Sequence, residues 1–339
     1  MKPNATRGGA KSSQETPTEG IVRLFITDQV KRIVDGQCPV RRATFFKPHG
    51  SAYGTFTVDP KLRKDLRVGI FAHERFDAWV RFSSDTLPVT PDAKTTCGIA
   101  IKLFGVPGRK LLEPGAMTQD FVMQNFPVFF VDDAQGMFEV SNDFDAYVEK
   151  HPETKKISDA MSHAVDSVAR IDYWSALASK LGAEHVVKYK LVPGENGGPS
   201  IAVDKTYQDY LGDDLAYRLL HHELRFTFCV QLQTDPKTMP VDKGTVEWSE
   251  RKSPPIPVAT LVLPRQDVRA TGRAAYAENL SFSPWHALPE HEPVGSIQDV
   301  RKVVYQTSSE VRHWANGMPV VEPLRPQPAT SPFPFPPSS

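Results

Sequence analysis

Residues 281–316 read SFSPWHALPEHEPVGSIQDVRKVVYQTSSEVRHWAN, and the second half of this stretch decides how the rest is read. Prolines at 284, 289 and 293 break the first half, whereas no Pro or Gly interrupts Ser296–Asn316. That segment is predicted as a helix, with Ser296 as N-cap and Gly317 at its close. Arg301, Tyr305 and Arg312 are four and seven residues apart, so they stand at about 0°, 40° and 20° around the axis and share one face. On spacing alone, an exposed salt-bridging surface is the commoner cause of such a stripe. The chemistry offers another reading. A tyrosine with a pKa of about 10 is a weak, neutral ligand at neutral pH, but a guanidinium one turn away favours its phenolate. A phenolate so supported is a candidate ligand for a ferric ion.

Upstream, short runs rich in β-branched and aromatic residues are separated by Pro, Gly and Asp turns: Ala52–Val58, Ala78–Ser83, Gly98–Phe104, Asp120–Gln124 and Val128–Asp132. These are predicted strands, closely spaced as in an antiparallel sheet or barrel. Val186–Val192, Glu223–Gln233 and Val258–Leu263 give further strand signals. Between the two groups, Ile157, Met161, Val165, Val168, Ile171, Trp174 and Leu177 recur at helical spacing and predict a long helix over Lys156–Leu181. The fold class expected is α+β, an antiparallel β-barrel core with surrounding helices. Residues 1–20 are expected to form a disordered arm. Residues 21–318 would form one domain, and 319–339 a Pro-rich tail or an extended arm lying on a partner.

Lys plus Arg number 40, as do Asp plus Glu, so no global field draws in nucleic acid or an anionic membrane. Cys38, Cys97 and Cys229 form no CxxC pair and read as three buried, reduced thiols of a cytoplasmic protein. No apolar run suggests a signal peptide or a membrane span. The usual nucleotide-binding and serine-hydrolase motifs are missing. His221-His222-Glu223 and the pair His286 and His291 lack metal-site spacing, and Trp285-His286 is expected to pack against the barrel or beneath a bound group.

At several separate places the chain resembles the catalase family. Arg301-Lys-Val-Val-Tyr305 resembles the proximal RxxxY motif, whose Tyr ligates haem iron and whose Arg supports it. Arg312 falls where the family has an Arg that pairs with a haem propionate. Trp79-Val-Arg81-Phe-Ser83-Ser resembles the VRFS strand, where Arg contacts a propionate and Ser lies near the distal side. Cys97-Gly98-Ile-Ala-Ile-Lys102 is similar to the RGFAVKF strand, and Phe121–Phe130 to the segment ending NNTPVFF that lines the distal pocket, placing Phe129 there. Arg42-Ala-Thr44 resembles the start of the distal RxxH motif. The resemblance covers about Arg42 to His313, and the chain is similar to the compact group without the C-terminal helical region of large catalases. It implies haem b, with Tyr305 as axial ligand, Arg301 as its support, and Arg42, Arg81 and Arg312 as propionate anchors.

The distal side departs from the family. Three residues after Arg42 stands Phe45, and counting back from the Tyr53–Val58 strand reaches Phe46 or Phe45, where catalase has the imidazole that moves a proton between peroxide oxygens. His49 is the nearest imidazole in sequence, either swung over the haem or simply a loop residue. Gln124 or Asn125 would take the place of the distal Asn, and Thr44 is a candidate donor to a bound peroxy group. The implied function is a haem enzyme acting on a peroxide or an organic hydroperoxide by peroxidase, isomerase or dehydratase chemistry, with weak hydrogen peroxide dismutation. The alternative is a haem carrier or sensor without turnover. The resemblance also implies a homo-oligomer, a dimer or tetramer.

Overall fold

The computed structural model describes residues 15–195 and 204–327. Its strands are β1 (Lys47–Val58), β2 (Arg75–Ser84), β3 (Cys97–Phe104), β4 (Thr118–Gln124), β5 (Tyr173–Trp174), β6 (Ser179–Leu181), β7 (His185–Pro193), β8 (Leu224–Leu232) and β9 (Ile256–Leu263). They pair in the order β5-β4-β3-β2-β1-β9-β8-β7-β6, every neighbour antiparallel, and β5 also pairs with β7. The sheet is thereby closed. β5 and β6 lie along the same edge of β7 and act as one stave, so the closed sheet is an eight-stave barrel. The helices are α1 (Pro17–Val34), α2 (Ala134–Asn142), α3 (Phe144–Lys150), α4 (Pro152–Met161), α5 (Tyr210–His221), α6 (Arg273–Asn279) and α7 (Ser296–Ala315). The α+β barrel expected from the sequence is the fold observed.

Strand alternation sends one set of side chains inward. Val80, Phe82, Ile99, Ile101, Phe121 and Met123 join the core inside the barrel. Phe121 meets Phe228 at 4.7 Å between ring centroids, and Phe56 meets Phe228 at 5.2 Å. The barrel interior is therefore packed protein, not a binding cavity. Truncating Phe228 to Ala would cost about 3–5 kcal/mol. The alternate residues of β2–β4 point outward, yet β3 is buried along its whole length. Helices cover that outer face, and any cavity has to lie between barrel and helices.

Several expectations are corrected. Lys156–Leu181 is not one helix: α4 ends at Met161, and β5 and β6 follow. Val165 and Val168, read as part of a helical stripe, enter the barrel core instead, as does Tyr173, whose hydroxyl donates to the Val168 carbonyl at 2.7 Å. Helical spacing in a short apolar run does not exclude an irregular chain, and closure of the barrel decides the matter. Val128–Asp132 forms no strand. It exchanges two isolated bonds with Gly244, from Phe129 N–H at 2.8 Å and to the Asp132 carbonyl at 2.9 Å.

The ordered body also starts earlier than expected. α1 begins at Pro17 behind a Thr16–Glu19 capping box, while residues 1–14 lie outside the described residues. In the C-terminal stretch Glu322 accepts from Lys102 and from Thr118, so this part of the tail docks on its own barrel; residues 328–339 lie outside the described residues. Of the three thiols, Cys38 is exposed. Gly295, with φ +102°, is the N-cap of α7 in place of Ser296, and the Asp242 carboxylate accepts the Ser296 amide at 2.8 Å. Among the described residues no helix is long and apolar enough to cross a membrane.

Candidate functional site

Between the outer face of β2–β4 and the helices α1, α2 and α7 lies a cavity of about 710 Å³, within the roughly 300–1,000 Å³ of ordinary cofactor sites. The barrel contributes Arg81, Ser83, Gly98, Ala100, Val122 and Gln124, the outward residues of three adjacent strands. Arg42–Phe46 crosses one side, and Phe129 and Phe130 close another. α7 is held by Ile297, which packs with Val131 and Val140, and by Val300 and Val304 against Ile21 of α1. That packing turns Arg301, Tyr305, Ser308 and Arg312 into the cavity. The predicted stripe is thus a cavity wall and not a salt-bridging surface.

Arg301 donates from Nη2 to the Tyr305 hydroxyl at 3.1 Å and from Nη1 to Gln298 at 3.0 Å, with its guanidinium 5.1 Å from the Tyr305 ring. Tyr305 is half buried and lines the cavity.

At one end of the cavity the guanidiniums of Arg42, Arg81 and Arg312 gather round a single carboxylate, Glu278, which Arg41 also meets at 3.6 Å from outside the cavity lining. Arg42 meets Glu278 at 3.0 Å. Arg312 donates to the carbonyls of Glu278 and Leu280, and Arg81 donates to the Phe45 carbonyl at 3.0 Å. Burial, with Arg42 adding to it, pushes both Arg81 and Arg312 down to about 9, and Glu278 only partly offsets this. Burial works to raise the Glu278 carboxyl, yet Arg42, Arg81 and Arg312 hold it below its ordinary value. Arg81 Nε, buried, has no hydrogen-bond partner. Positive charge here exceeds its counter-charge, and in a buried setting that is costly until an anion arrives. A group carrying two carboxylates at this end and an iron at the Tyr305 hydroxyl fits the donor set.

The distal candidates divide. Thr44 and Phe45 line the cavity. Phe45 has φ +51°, uncommon for a bulky residue. Its carbonyl is held by Arg81, and its amide donates to Asp85 Oδ1 at 2.9 Å. Gln124 lines the cavity, its amide nitrogen donating to the Val128 carbonyl at 2.8 Å. Asn125 does not: its Oδ1 accepts the Cys97 amide at 3.0 Å. His49 is no distal base either. It is buried off the cavity, its Nε2 2.6 Å from Ser84 Oγ. Burial, then Lys47 and Arg81, pushes it down to about 3. All ten histidines are among the described residues, and none lines the cavity. His286 packs on the barrel's outer face, its Nδ1 2.8 Å from Asp120.

Sequence reasoning missed Glu278 and Asp85. Asp85 directly follows the Ser83-Ser84 end of β2, and its place after a cavity-lining strand was the available signal. Nothing local marks Glu278, which meets the arginines only through the packing of α6.

The sequence matches no known family profile and no curated protein. Solved structures do match. A fungal catalase aligns with a TM-score of 0.63 at 18% identity, over 92% of this chain and 66% of its own length. A bacterial catalase aligns with 0.62 at 15% identity, over 98% and 70%. Catalase A from Saccharomyces cerevisiae aligns with 0.62 at 16%, over 93% and 70%. The chain spans about two thirds of the length of these catalases. Likeness over nearly the whole chain at such low identity establishes architecture, and the architecture of this chain is the catalase-like fold.

Proposed function

We propose that the chain is a haem b enzyme of the catalase-related group that acts on a peroxide or an organic hydroperoxide. The observation that carries this reading is the Arg301–Tyr305 pair facing a cavity whose far end holds Arg42, Arg81 and Arg312 against one carboxylate. Tyr305 would hold the iron, Arg301 would stabilise its phenolate, and the three arginines would pair the propionates bidentately. Bound haem supplies the redox centre on which a peroxide bond is cleaved.

The rest of the wall sets the substrate. With Phe45 where an imidazole would serve, and with no histidine on the cavity, fast dismutation of hydrogen peroxide is not expected. The wall includes Phe25, Phe129, Phe130, Met137, Val140 and Met161. Such a surface suits an organic hydroperoxide with an apolar body. The free cysteines accord with a reducing, cytoplasmic setting. The absence of imidazole also favours a second reading, a haem carrier or sensor.

An absorption spectrum of protein produced with haem supply, before and after a panel of hydroperoxides, separates these readings. A haem band with product formation supports the enzyme. A band that changes without product supports the carrier or sensor, and no band at all removes haem from the account.

A further inference from the structure

Asp85 occupies an unusual position for a carboxylate. It lies deep in the molecule, yet its side chain remains exposed, because the surface it exposes is cavity wall beside Thr44, Phe45 and Thr96. Its Oδ1 accepts the Phe45 amide at 2.9 Å. Among the described residues no group hydrogen-bonds its Oδ2, and no Lys, Arg or His forms an ion pair with it. The other charged or titratable groups on the wall are Asp28 of α1, Arg42, Arg81, Arg301, Arg312 and Tyr305, and none of them forms an ion pair or hydrogen bond with Asp85. A carboxylate that served only to hold a loop amide would gain from solvent or a cation. This one has one oxygen engaged, and the surface it leaves free is cavity wall.

We propose that Asp85 is the proton-transferring group of the cavity, taking the place of the imidazole that Phe45 displaces. The proposal rests on the haem reading above. With an organic hydroperoxide ROOH, the carboxylate accepts the hydroperoxide proton and returns it to the outer oxygen. The O–O bond pair would leave with that oxygen as ROH, and bound haem would supply the redox centre that takes up the two oxidising equivalents. Proton count on Asp85 is restored. The desolvation that raises the Asp85 carboxyl from its ordinary value suits this task, since a carboxylate of higher pKa is the stronger base near neutrality. Phe45 then has a positioning role: its amide orients Oδ1.

The test compares haem-loaded wild type with Asp85→Asn, which keeps an oxygen acceptor for the Phe45 amide, and with Asp85→Glu, which keeps the carboxyl. Besides turnover, it follows association of cyanide, an acid that must lose its proton to bind ferric iron. The Asn variant is expected to take up haem with an unchanged band, but to bind cyanide and cleave hydroperoxide roughly 10²-fold or more slowly. Its rates should lose the fall seen in wild type as pH drops through the raised carboxyl pKa, and Asp85→Glu should recover part of both. Without haem, Asp85→Asn should melt higher than wild type near neutrality, and the two should converge at acid pH as the buried carboxylate is neutralised. A haem-loaded Asn variant with wild-type rates and pH profile overturns the role of Asp85 and leaves the haem reading intact. Failure of every form to bind haem overturns the haem reading itself.

Discussion

The ring of Phe45 rests on the backbone of Gly98, so closely that a Cβ there would stand 2.6 Å from Cδ1 and Cε1 of the ring. β3 can carry the Phe45 ring on its outer face only because position 98 has no side chain. Gly98→Ala is therefore expected to push the ring into the cavity. The cost should be about 1–3 kcal/mol, read as a lower urea midpoint, together with weaker haem uptake in titrations. Unchanged stability and uptake would show that the loop yields freely and that the contact does not shape the cavity.

Tyr305→Phe removes one hydroxyl from a half-buried side chain and one bond from Arg301. The protein without haem should lose no more than about 1.5 kcal/mol. The haem absorption band should be lost or strongly displaced. An unaltered band would take the iron away from Tyr305.

The surplus of guanidinium at Arg42, Arg81 and Arg312 predicts strong discrimination for charged propionates. Haem dimethyl ester keeps the ring and the iron but not the two charges. Its affinity, measured by absorbance titration, should be lower by roughly 10²–10³-fold, the equivalent of breaking a buried pair. Equal affinity would mean that the arginines serve only Glu278 and the backbone.

Lys102 and Asp120 are both wholly buried, face each other across β3 and β4, and lie 2.8 Å apart, with Glu322 joined to Lys102 from the C-terminal stretch. Lys102→Met removes the lysine cation from two buried carboxylates and leaves them only His286. Chemical denaturation should report a loss of about 3–5 kcal/mol. Glu322→Gln should cost less and should loosen residues 319–327, read as faster cleavage there by protease.

The same network sets a pH dependence. Burial and Lys102 act to lower the His286 pKa, but Asp120 and Glu113 outweigh them and lift it to about 9 from 6.5. A raised folded value means that the stabilisation is fully present below about 6.5 and is lost as pH rises through about 9. Melting temperature should fall across that window, and His286→Gln should flatten the fall. A wild-type profile that stays level between the two values would refute a charged His286.

Much of this was readable from the chain because it is local. Strand alternation in Ala78–Ser83 and Gly98–Phe104 needs only neighbouring residues, and helical spacing alone places Arg301, Tyr305 and Arg312 on one face. The barrel strands and α7 accordingly lie close to where the sequence puts them, and Phe45 is on the cavity wall as its distance from Arg42 implies. Other features could not be read that way. The apolar spacing of 157–177 suits a helix as well as it suits a chain threading into a core, and the choice falls to Tyr173, whose pairing with Leu191 on β7 helps close the barrel.

What the sequence by itself determined is the inventory and its periodicity: a barrel of alternating strands, a final helix with Tyr305 one turn from Arg301, and Phe45 three residues after Arg42. Which atoms face the cavity was decided only by tertiary structure. His49 is buried beside Ser84, Asn125 holds the Cys97 amide, and Asp85, unremarkable in the chain, stands on the wall with the Phe45 amide on one oxygen and no ion pair among the described residues. Side-chain direction at a strand end or in a loop depends on partners far away in sequence, as between Phe45 and Asp85, forty residues apart. No local pattern encodes such a pair; the closed barrel and the helix packed on it bring the two together.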